Sequence, residues 1–363
     1  MTIAVDAREL EGHPTGVGRV LEGLLEAWPE GDQLDLICRS RPRLATLRKN
    51  WRVTLRPGPV GMPGWIWEQT ILPQVARGAT ALLCPGYGMP RFAPCPTAVG
   101  MHDCAPFELP ETFAWRERRR RQVVARVAAR RAAFLLMGSH FAAQQAQLHL
   151  GVPPDRLLVL PYGLTSTFTP PTQQQIQAIR ARYGLRGRVV LFVGSNLQRR
   201  RLPQLIERIA RLARTRDDLS LCVVGDSPER AGSEAGPTER SALRRLGYVP
   251  DEHLAALYGA ATVVAYPSRY EGFGFPVLEA LACGSPVVAS ATSSLAEIYP
   301  GRAWLVQDDD PEQWETALAA LLDDPSEHAR WCERAQDWAR ARTWHQGAQM
   351  VRECLALAGG LTS

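Results

Sequence analysis

Short apolar runs recur along the chain, and most are followed by a stretch in which apolar residues return every third or fourth position. In the first half the runs cover residues 3–5, 34–38, 81–84, 98–101, 134–137 and 157–160; in the second half they cover 189–193, 219–224, 262–266, 286–289 and 303–306. The amphipathic stretches between them include 17–28, 66–75, 118–132, 141–148, 202–213, 254–260 and 277–282. Runs this short and uniformly apolar predict strands buried on both faces. Their alternation with helices predicts parallel sheets covered on each side.

The rhythm breaks between 161 and 174, where Pro161, Gly163, Pro170 and Pro171 interrupt it and Ser and Thr fill the gaps. A chain of 363 residues fits two domains better than one. The expected division is a domain 1–165 and a domain 166–344, with a C-terminal helix at 345–363 packing back on the first. The stretch 225–238, rich in Ser, Gly and Pro, follows a strand and reads as a surface loop. From Pro311 onward the pattern is helical, with Trp314, Trp331, Trp338 and Trp344 as packing anchors.

Composition narrows the class. With 45% hydrophobic and 22% charged residues the chain can bury two sizeable cores. A net charge of +5 suits an anionic ligand but is too weak to imply nucleic acid. The eight cysteines show no C-x-x-C spacing and read as buried, reduced thiols rather than a disulfide frame or zinc site. The first residues carry no signal-peptide core, and no apolar run is long enough to span a bilayer, so a cytoplasmic location is expected. Membrane contact would be peripheral. Its candidate is 116–131, where Arg116, Arg118, Arg119, Arg120, Arg121, Arg126, Arg130 and Arg131 share a helix with Val123, Val124 and Val127. Such a helix docks on anionic lipid or is a solvated surface helix. It lacks the interleaved aromatics that would stack on nucleic acid bases.

The densest signal runs from Tyr266 to Ala289, Tyr-Pro-Ser-Arg-Tyr-Glu-Gly-Phe-Gly-Phe-Pro-Val-Leu-Glu-Ala-Leu-Ala-Cys-Gly-Ser-Pro-Val-Val-Ala. A buried strand enters a loop holding Gly272 and Gly274, and a helix follows with Pro276 in its first turn. Strand end, glycine loop and helix N-terminus together favour a phosphate. A carboxylate is a poor phosphate ligand but a good acceptor of hydrogen bonds from sugar hydroxyls. Glu271 in the loop and Glu279 in the early helix therefore fit a ligand that is part phosphate and part sugar. The alternatives are a solvated loop residue for Glu271 and a helix-capping one for Glu279.

Taken as a block, this segment resembles the E-x7-E motif of the retaining glycosyltransferases with the GT-B fold, the group called family 4 or glycosyl transferases group 1. The resemblance extends over nearly the whole chain. Ile3-Ala-Val-Asp-Ala-Arg through Thr15-Gly-Val-Gly-Arg19 is similar to the family's first strand and Gly-loop, and Met101-His102-Asp103 to its His-Asp strand end. Met137-Gly-Ser-His-Phe141 and Val159-Leu-Pro-Tyr-Gly163 resemble its last N-domain strands. Phe192-Val-Gly-Ser-Asn through Arg199-Arg-Arg-Leu-Pro203 resembles the phosphate-binding strand end, and Leu246-Gly-Tyr-Val249 the segment beside the nucleotide base.

The resemblance implies an α/β, GT-B architecture of two doubly wound Rossmann-like domains facing a central cleft, and a nucleotide-diphosphate sugar as donor. It assigns Glu279 to the ribose, Glu271 to the donor sugar, and the amides of Gly272, Phe273 and Gly274 to sugar hydroxyls. Arg199 and Arg200 take the diphosphate, although the family has Lys at 200 and commonly Asn at 201, so Arg200 and Arg201 are both open as the second contact. Gly16 and Gly18 approach the donor phosphate, Tyr248 and Val249 the base, and His102 the donor sugar and transition state. Gly16 and Gly18 do not complete a dinucleotide fingerprint, since Leu21 stands at the third glycine position.

Pro161-Tyr-Gly-Leu departs from the family's Pro-Asn-Gly-Val followed by Asp, a change placed in the interdomain hinge. The implied reaction retains anomeric configuration by front-face attack, with domain closure excluding water. It needs no cofactor or metal and takes a glycan, lipid-linked or small-molecule acceptor. Mannosyl or glucosyl transfer in polysaccharide biosynthesis is the leading expectation. The alternatives are a nucleotide-sugar epimerase of the same fold and a non-catalytic nucleotide-sugar-binding protein. A phosphorylase of this fold needs a pyridoxal-bearing lysine, and lysines are scarce here, Lys49 lying in a polar stretch.

Overall fold

A computed structural model describes residues 1–13, 15–44, 47–225, 243–307 and 310–361. Beyond its first residue, the stretch 225–238 expected to be a loop lies outside the described residues. The chain forms two compact units, one of residues 1–165 with 343–363 and one of residues 166–342.

The first unit holds a seven-stranded sheet in the order β3-β2-β1-β4-β5-β6-β7. Its strands are β1 (Thr2–Asp6), β2 (Gln33–Cys38), β3 (Trp51–Leu55), β4 (Ala81–Cys84), β5 (Thr97–Gly100), β6 (Phe134–Met137) and β7 (Leu157–Val159). Among the described residues the second unit holds a sheet of six strands in the order β10-β9-β8-β11-β12-β13. These are β8 (Arg188–Val193), β9 (Leu219–Val224), β10 (Leu243–Gly247), β11 (Val263–Tyr266), β12 (Val287–Ser290) and β13 (Trp304–Val306). Every recorded pairing is parallel. In register, Val5 faces Leu36 and Leu83, and Val264 faces Leu191 and Val287. Central strands such as β4, β5 and β12 are buried at every position, as expected of a parallel sheet covered on both faces.

Two strands, β3 and β10, were not expected. Both are edge strands, and both carry arginines outward, Arg52 in β3 and Arg244 in β10. A one-sided, charged edge lacks the apolar run that marks a central strand. The helical stretch expected over 66–75 is two helices, Gly64–Thr70 and Leu72–Val75. Pro73 has no amide to continue the ladder. A further helix, Gln173–Tyr183, starts at the end of the proline-rich break. Thr172 and Gln175 form a reciprocal capping box at its head. The helix Trp115–Arg131 buries Ala125, Ala128 and Ala129, whereas Val123 is exposed. Its packed face is therefore the alanine stripe.

The helix His345–Ala358 lies on the first unit against β4, β5 and the helix Gly16–Glu26. Gly23 on that helix has no room for a side chain, because a Cβ would fall 2.1 Å from the Trp344 ring nitrogen. Six of the eight thiols are buried, while Cys95 and Cys332 are half-buried. Trp314 is the largest side chain of the second core, packed among Leu205, Ile209 and Val306 with the Arg208 guanidinium 5.5 Å from its ring. Replacing Trp314 by Ala is expected to lower unfolding free energy by about 3–5 kcal/mol, read as a shift of the urea midpoint. A loss below about 1 kcal/mol would contradict this packing.

Candidate functional site

In the second sheet the chain steps outward from β8 through β9 to β10, then returns to β11 and proceeds the other way. The reversal falls between neighbours β8 and β11, the place at which open α/β sheets bind ligands. The loop after β8 passes Gly194, where the lack of a side chain admits the Arg200 guanidinium; a Cβ there would lie 2.3 Å from Arg200 Nη1. It then makes a turn at Gln198–Arg200, and Arg201, left-handed at φ 51°, caps the helix Leu202–Leu212. The loop after β11 ends at Gly274, φ +90°, the N-cap of the helix Phe275–Ala282. A Cβ on Gly274 would meet Leu295 at 2.5 Å.

These two loops meet at Glu271. Its carboxylate is buried and accepts hydrogen bonds from Tyr266 Oη at 2.9 Å and Ser268 Oγ at 2.9 Å. Arg200 Nε lies at 3.4 Å and Arg199 Nη2 at 3.9 Å. Arg200 also donates to Ser195 Oγ, and Arg199 to the Tyr270 carbonyl. Burial alone would raise the carboxyl pKa. The two guanidinium groups and the two hydroxyls outweigh it and hold Glu271 below the usual carboxylate range. The main chain of Glu271 is fixed too: its amide donates to Ser293 Oγ at 2.9 Å and its carbonyl accepts from Ser294 Oγ at 2.8 Å. Ser293 sits at φ 50°, a strained conformation for a non-glycine residue. Glu271 is thus no solvated loop residue.

Glu279 is no cap, since it lies in the helix's second turn. It is buried and accepts from Tyr258 Oη at 2.8 Å. The Phe273 ring packs on Phe275 at 4.8 Å and on Tyr299 at 6.5 Å, which leaves its amide as the part suited to a ligand. After β10, the Tyr248 side chain is half exposed and Val249 is buried. Arg199, Arg200 and Glu271 are brought into direct contact, with Gly272, Phe273 and Gly274 following in the same loop.

The first sheet repeats the device, with its reversal between β1 and β4. Gly16 and Gly18 open the helix Gly16–Glu26, whose cap Thr15 accepts from the Gly18 amide at 2.9 Å. A Cβ on Gly18 would meet the Glu9 carbonyl at 2.6 Å, whereas Gly16 faces open space. Beside the ends of β1, β4 and β5 lies a cavity of about 410 Å³ lined by Asp6, Arg8, Glu68, Tyr87, Asp103 and Arg120, among others. Arg8 ties Asp6 at 2.5 Å to Glu68 at 2.9 Å.

His102 follows β5. Its Nδ1 is 3.0 Å from Tyr162 Oη and its Nε2 is 2.7 Å from the Pro85 carbonyl. A carbonyl only accepts, so Nε2 carries the proton and Nδ1 accepts from the tyrosine. Burial lowers the imidazole pKa, which keeps the ring neutral.

Sequence reasoning missed Tyr258, Tyr266, Ser268, Ser293 and Ser294, and met Tyr162 only as a departure from the family's pattern. The first three sit in or beside elements that read simply as apolar strand, loop or helix. The signal for Ser293 and Ser294 is the Ala-Thr-Ser-Ser run directly after β12.

The sequence profile of the family described as glycosyl transferases group 1 matches residues 175–338. Among curated proteins, the chain is 31% identical over 235 residues to the D-inositol 3-phosphate glycosyltransferase of Corynebacterium kroppenstedtii, covering 60% of this chain and 52% of that one. It is 33% identical over 198 residues to the O-antigen chain mannosyltransferase B of Escherichia coli, covering 53% and 51%. The chain thus spans about half the length of these relatives. Among solved structures it matches Anabaena HepE in complex with UDP and glucose at TM-score 0.75 and 19% identity, covering 98% of this chain and 99% of that one. It also matches WaaG, a glycosyltransferase involved in lipopolysaccharide biosynthesis, at TM-score 0.76 and 18% identity, covering 99% and 100%.

The lowered Glu271 pKa carries a pH signature. A carboxylate depressed in the folded state stabilises it fully above the ordinary carboxylate range, and that contribution fades as pH falls through the lowered folded value. Glu271→Gln is expected to cost about 3–5 kcal/mol at neutral pH, with the gap from the native protein narrowing on acidification. Urea denaturation across pH measures it, and a gap independent of pH contradicts the ion-pair geometry.

Proposed function

We propose, from the match of residues 175–338 to the glycosyl transferases group 1 and from the GT-B fold shared with the solved structures, that the chain is a retaining glycosyltransferase. It moves a hexosyl group, of mannosyl or glucosyl type, from a nucleotide-diphosphate sugar to an acceptor hydroxyl in glycan or polysaccharide biosynthesis. The observation that carries the reading is the meeting of Arg199, Arg200 and Glu271 at the reversal of the second sheet. The names of the curated relatives, an inositol phosphate glycosyltransferase and a mannosyltransferase, support the hexosyl class.

Cleavage of the anomeric C–O bond leaves negative charge on the diphosphate and positive charge on the sugar. Arg199 and Arg200, already positioned by Glu271, meet the first with fixed cations in a poorly hydrated place. Arg at 200, in place of the family's Lys, adds a fork able to hold a phosphate and Glu271 together. Glu279 takes the ribose hydroxyls, Glu271 and the 272–274 amides take the donor sugar, and Tyr248 flanks the base. The acceptor enters the first unit's cavity, where Asp6, Glu68 and Asp103 accept from its hydroxyls. The new bond joins the acceptor oxygen to the anomeric carbon on the face the diphosphate leaves. The acceptor proton passes to a donor phosphate oxygen. Two arginines supply the countercharge, so no divalent metal is required.

A thermal-shift screen of nucleotide diphosphates and their sugars tests this reading. One nucleotide diphosphate is expected to raise the melting temperature, an effect weakened in Glu279→Ala and reduced in Arg199→Ala by about 2–5 kcal/mol of binding. Transfer to acceptor should survive chelator, and proton NMR should find the donor's anomeric configuration in the product. Absence of any nucleotide shift contradicts the proposal, and donor turnover without acceptor and with inversion at a sugar carbon makes the protein an epimerase.

No helix among the described residues is long and apolar enough to cross a membrane. The helix Trp115–Arg131 is proposed to dock on anionic lipid. Trp115 and Val123 are exposed among its arginines, and exposed Phe92 lies under Arg91 at 5.6 Å and Arg131 at 5.4 Å. Apolar tips beside cations suit a lipid interface, at about 1 kcal/mol per basic residue. Sedimentation with anionic vesicles, lost at high salt and in Trp115→Ser/Val123→Ser, is expected. Equal binding to neutral vesicles contradicts it.

A further inference from the structure

Tyr162 lies in the Pro-Tyr-Gly-Leu stretch read as hinge, and it is 1% exposed. Its hydroxyl reaches across 60 positions to His102 Nδ1 at 3.0 Å, while the opposite ring nitrogen is held by the Pro85 carbonyl at 2.7 Å. Two glycines make the arrangement sterically specific. A Cβ on Gly138 would fall 2.6 Å from Tyr162 Cε2. A Cβ on Gly100 would fall 2.1 Å from the Pro85 carbonyl oxygen and 2.9 Å from His102 Nε2. Trp344 backs the tyrosine with ring centroids 5.3 Å apart, and Tyr87 meets the imidazole edge-on at 5.5 Å.

We infer that Tyr162 is a positioning residue. Its hydroxyl donates to His102 Nδ1 and, with Pro85 accepting from Nε2, fixes the imidazole neutral and immobile, so that His102 presents its ring edge and main chain to the ligand rather than a ring nitrogen. The consequence for the proposed transfer, on which this inference rests for its catalytic part, is that His102 neither gives nor takes a proton. It shapes the site. A mobile imidazole would cost orientation at the reacting centre without altering donor capture.

The groups facing the imidazole are the Tyr162 hydroxyl, the Tyr87 ring, and the carboxylates of Asp103 and Glu9, which favour protonation against the burial that opposes it. A hydrogen bond made to the neutral form disfavours the charged one, so loss of the tyrosine hydroxyl should raise the His102 pKa.

The experiment is ¹⁵N NMR of the histidine side chains of the full chain, with His102 assigned by loss of its signals in His102→Gln, beside steady-state kinetics. In the native protein His102 is expected as the Nε2–H tautomer, staying neutral at pH values where an exposed histidine of the same chain has already protonated. In Tyr162→Phe, Nδ1 should move toward the free-acceptor position and protonate at higher pH. The kcat should fall about tenfold, the weight of one hydrogen bond, with KM for the donor unchanged. Site-specific 3-fluorotyrosine at 162 keeps the ring and strengthens the donor, so it should move Nδ1 the opposite way; this arm decides the matter if Tyr162→Phe folds poorly. An Nδ1–H tautomer in the native protein, an Nδ1 signal indifferent to both changes, or an unchanged kcat in an active Tyr162→Phe overturns the inference. A native protein that transfers no sugar overturns the transferase reading instead, and the NMR arm still decides the role of Tyr162.

Discussion

All the strand pairs recorded in both sheets run parallel, and this one constraint governs where chemistry can gather. A parallel sheet places every strand's carboxyl end on the same edge. Residues that end neighbouring strands therefore become neighbours whatever their separation in sequence. Arg200 and Glu271 are 71 positions apart and in contact. His102 and Pro85 are 17 positions apart and hydrogen-bonded, because β4 and β5 pair. The reversal of strand order in each sheet falls at that edge, and glycines such as Gly18, Gly194 and Gly274 leave room there for neighbouring groups. The helices that cover both faces keep these edges as the exposed ends of buried strands.

Buried charge in the second unit follows from the same geometry. A carboxylate out of water is costly unless it is paired and hydrogen-bonded. Glu271 has two cations and two hydroxyls, and Glu279 has Tyr258. Two left-handed non-glycine residues adjoin this arrangement: Ser293, whose hydroxyl accepts from the Glu271 amide, and Arg201, which directly follows Arg200. Stabilising interactions around Arg200 and Glu271 pre-set side chains that would otherwise be mobile, so little ordering is left for the proposed diphosphate to impose.

The sheets were largely legible because central strands are apolar at every position, and the parallel arrangement follows from their alternation with helices. The edges were not: β3 and β10 expose one side and carry Arg52 and Arg244, so neither has the pattern of a buried strand. Glu271 and Glu279 stood out as carboxylates beside glycines in an apolar setting. Their partners did not, because a tyrosine such as Tyr266 or Tyr258 reads as hydrophobic until its hydroxyl is seen to bond. Tyr162 was legible only as a departure from a pattern; its meaning lies in a contact that no local signal encodes.

The return of residues 343–361 to the first unit has a consequence for how the chain assembles. The second unit is, topologically, an insertion whose two ends lie side by side, since a Cβ on Gly163 would fall 2.4 Å from the carbonyl carbon of Thr343. Trp344 and the helix behind it cover β4, β5 and Tyr162 only after all of the second unit has been made. On the ribosome, then, the later unit has its full complement of residues before the earlier one does. The first unit must wait with part of one sheet face uncovered, which makes the order of completion the reverse of the order of synthesis.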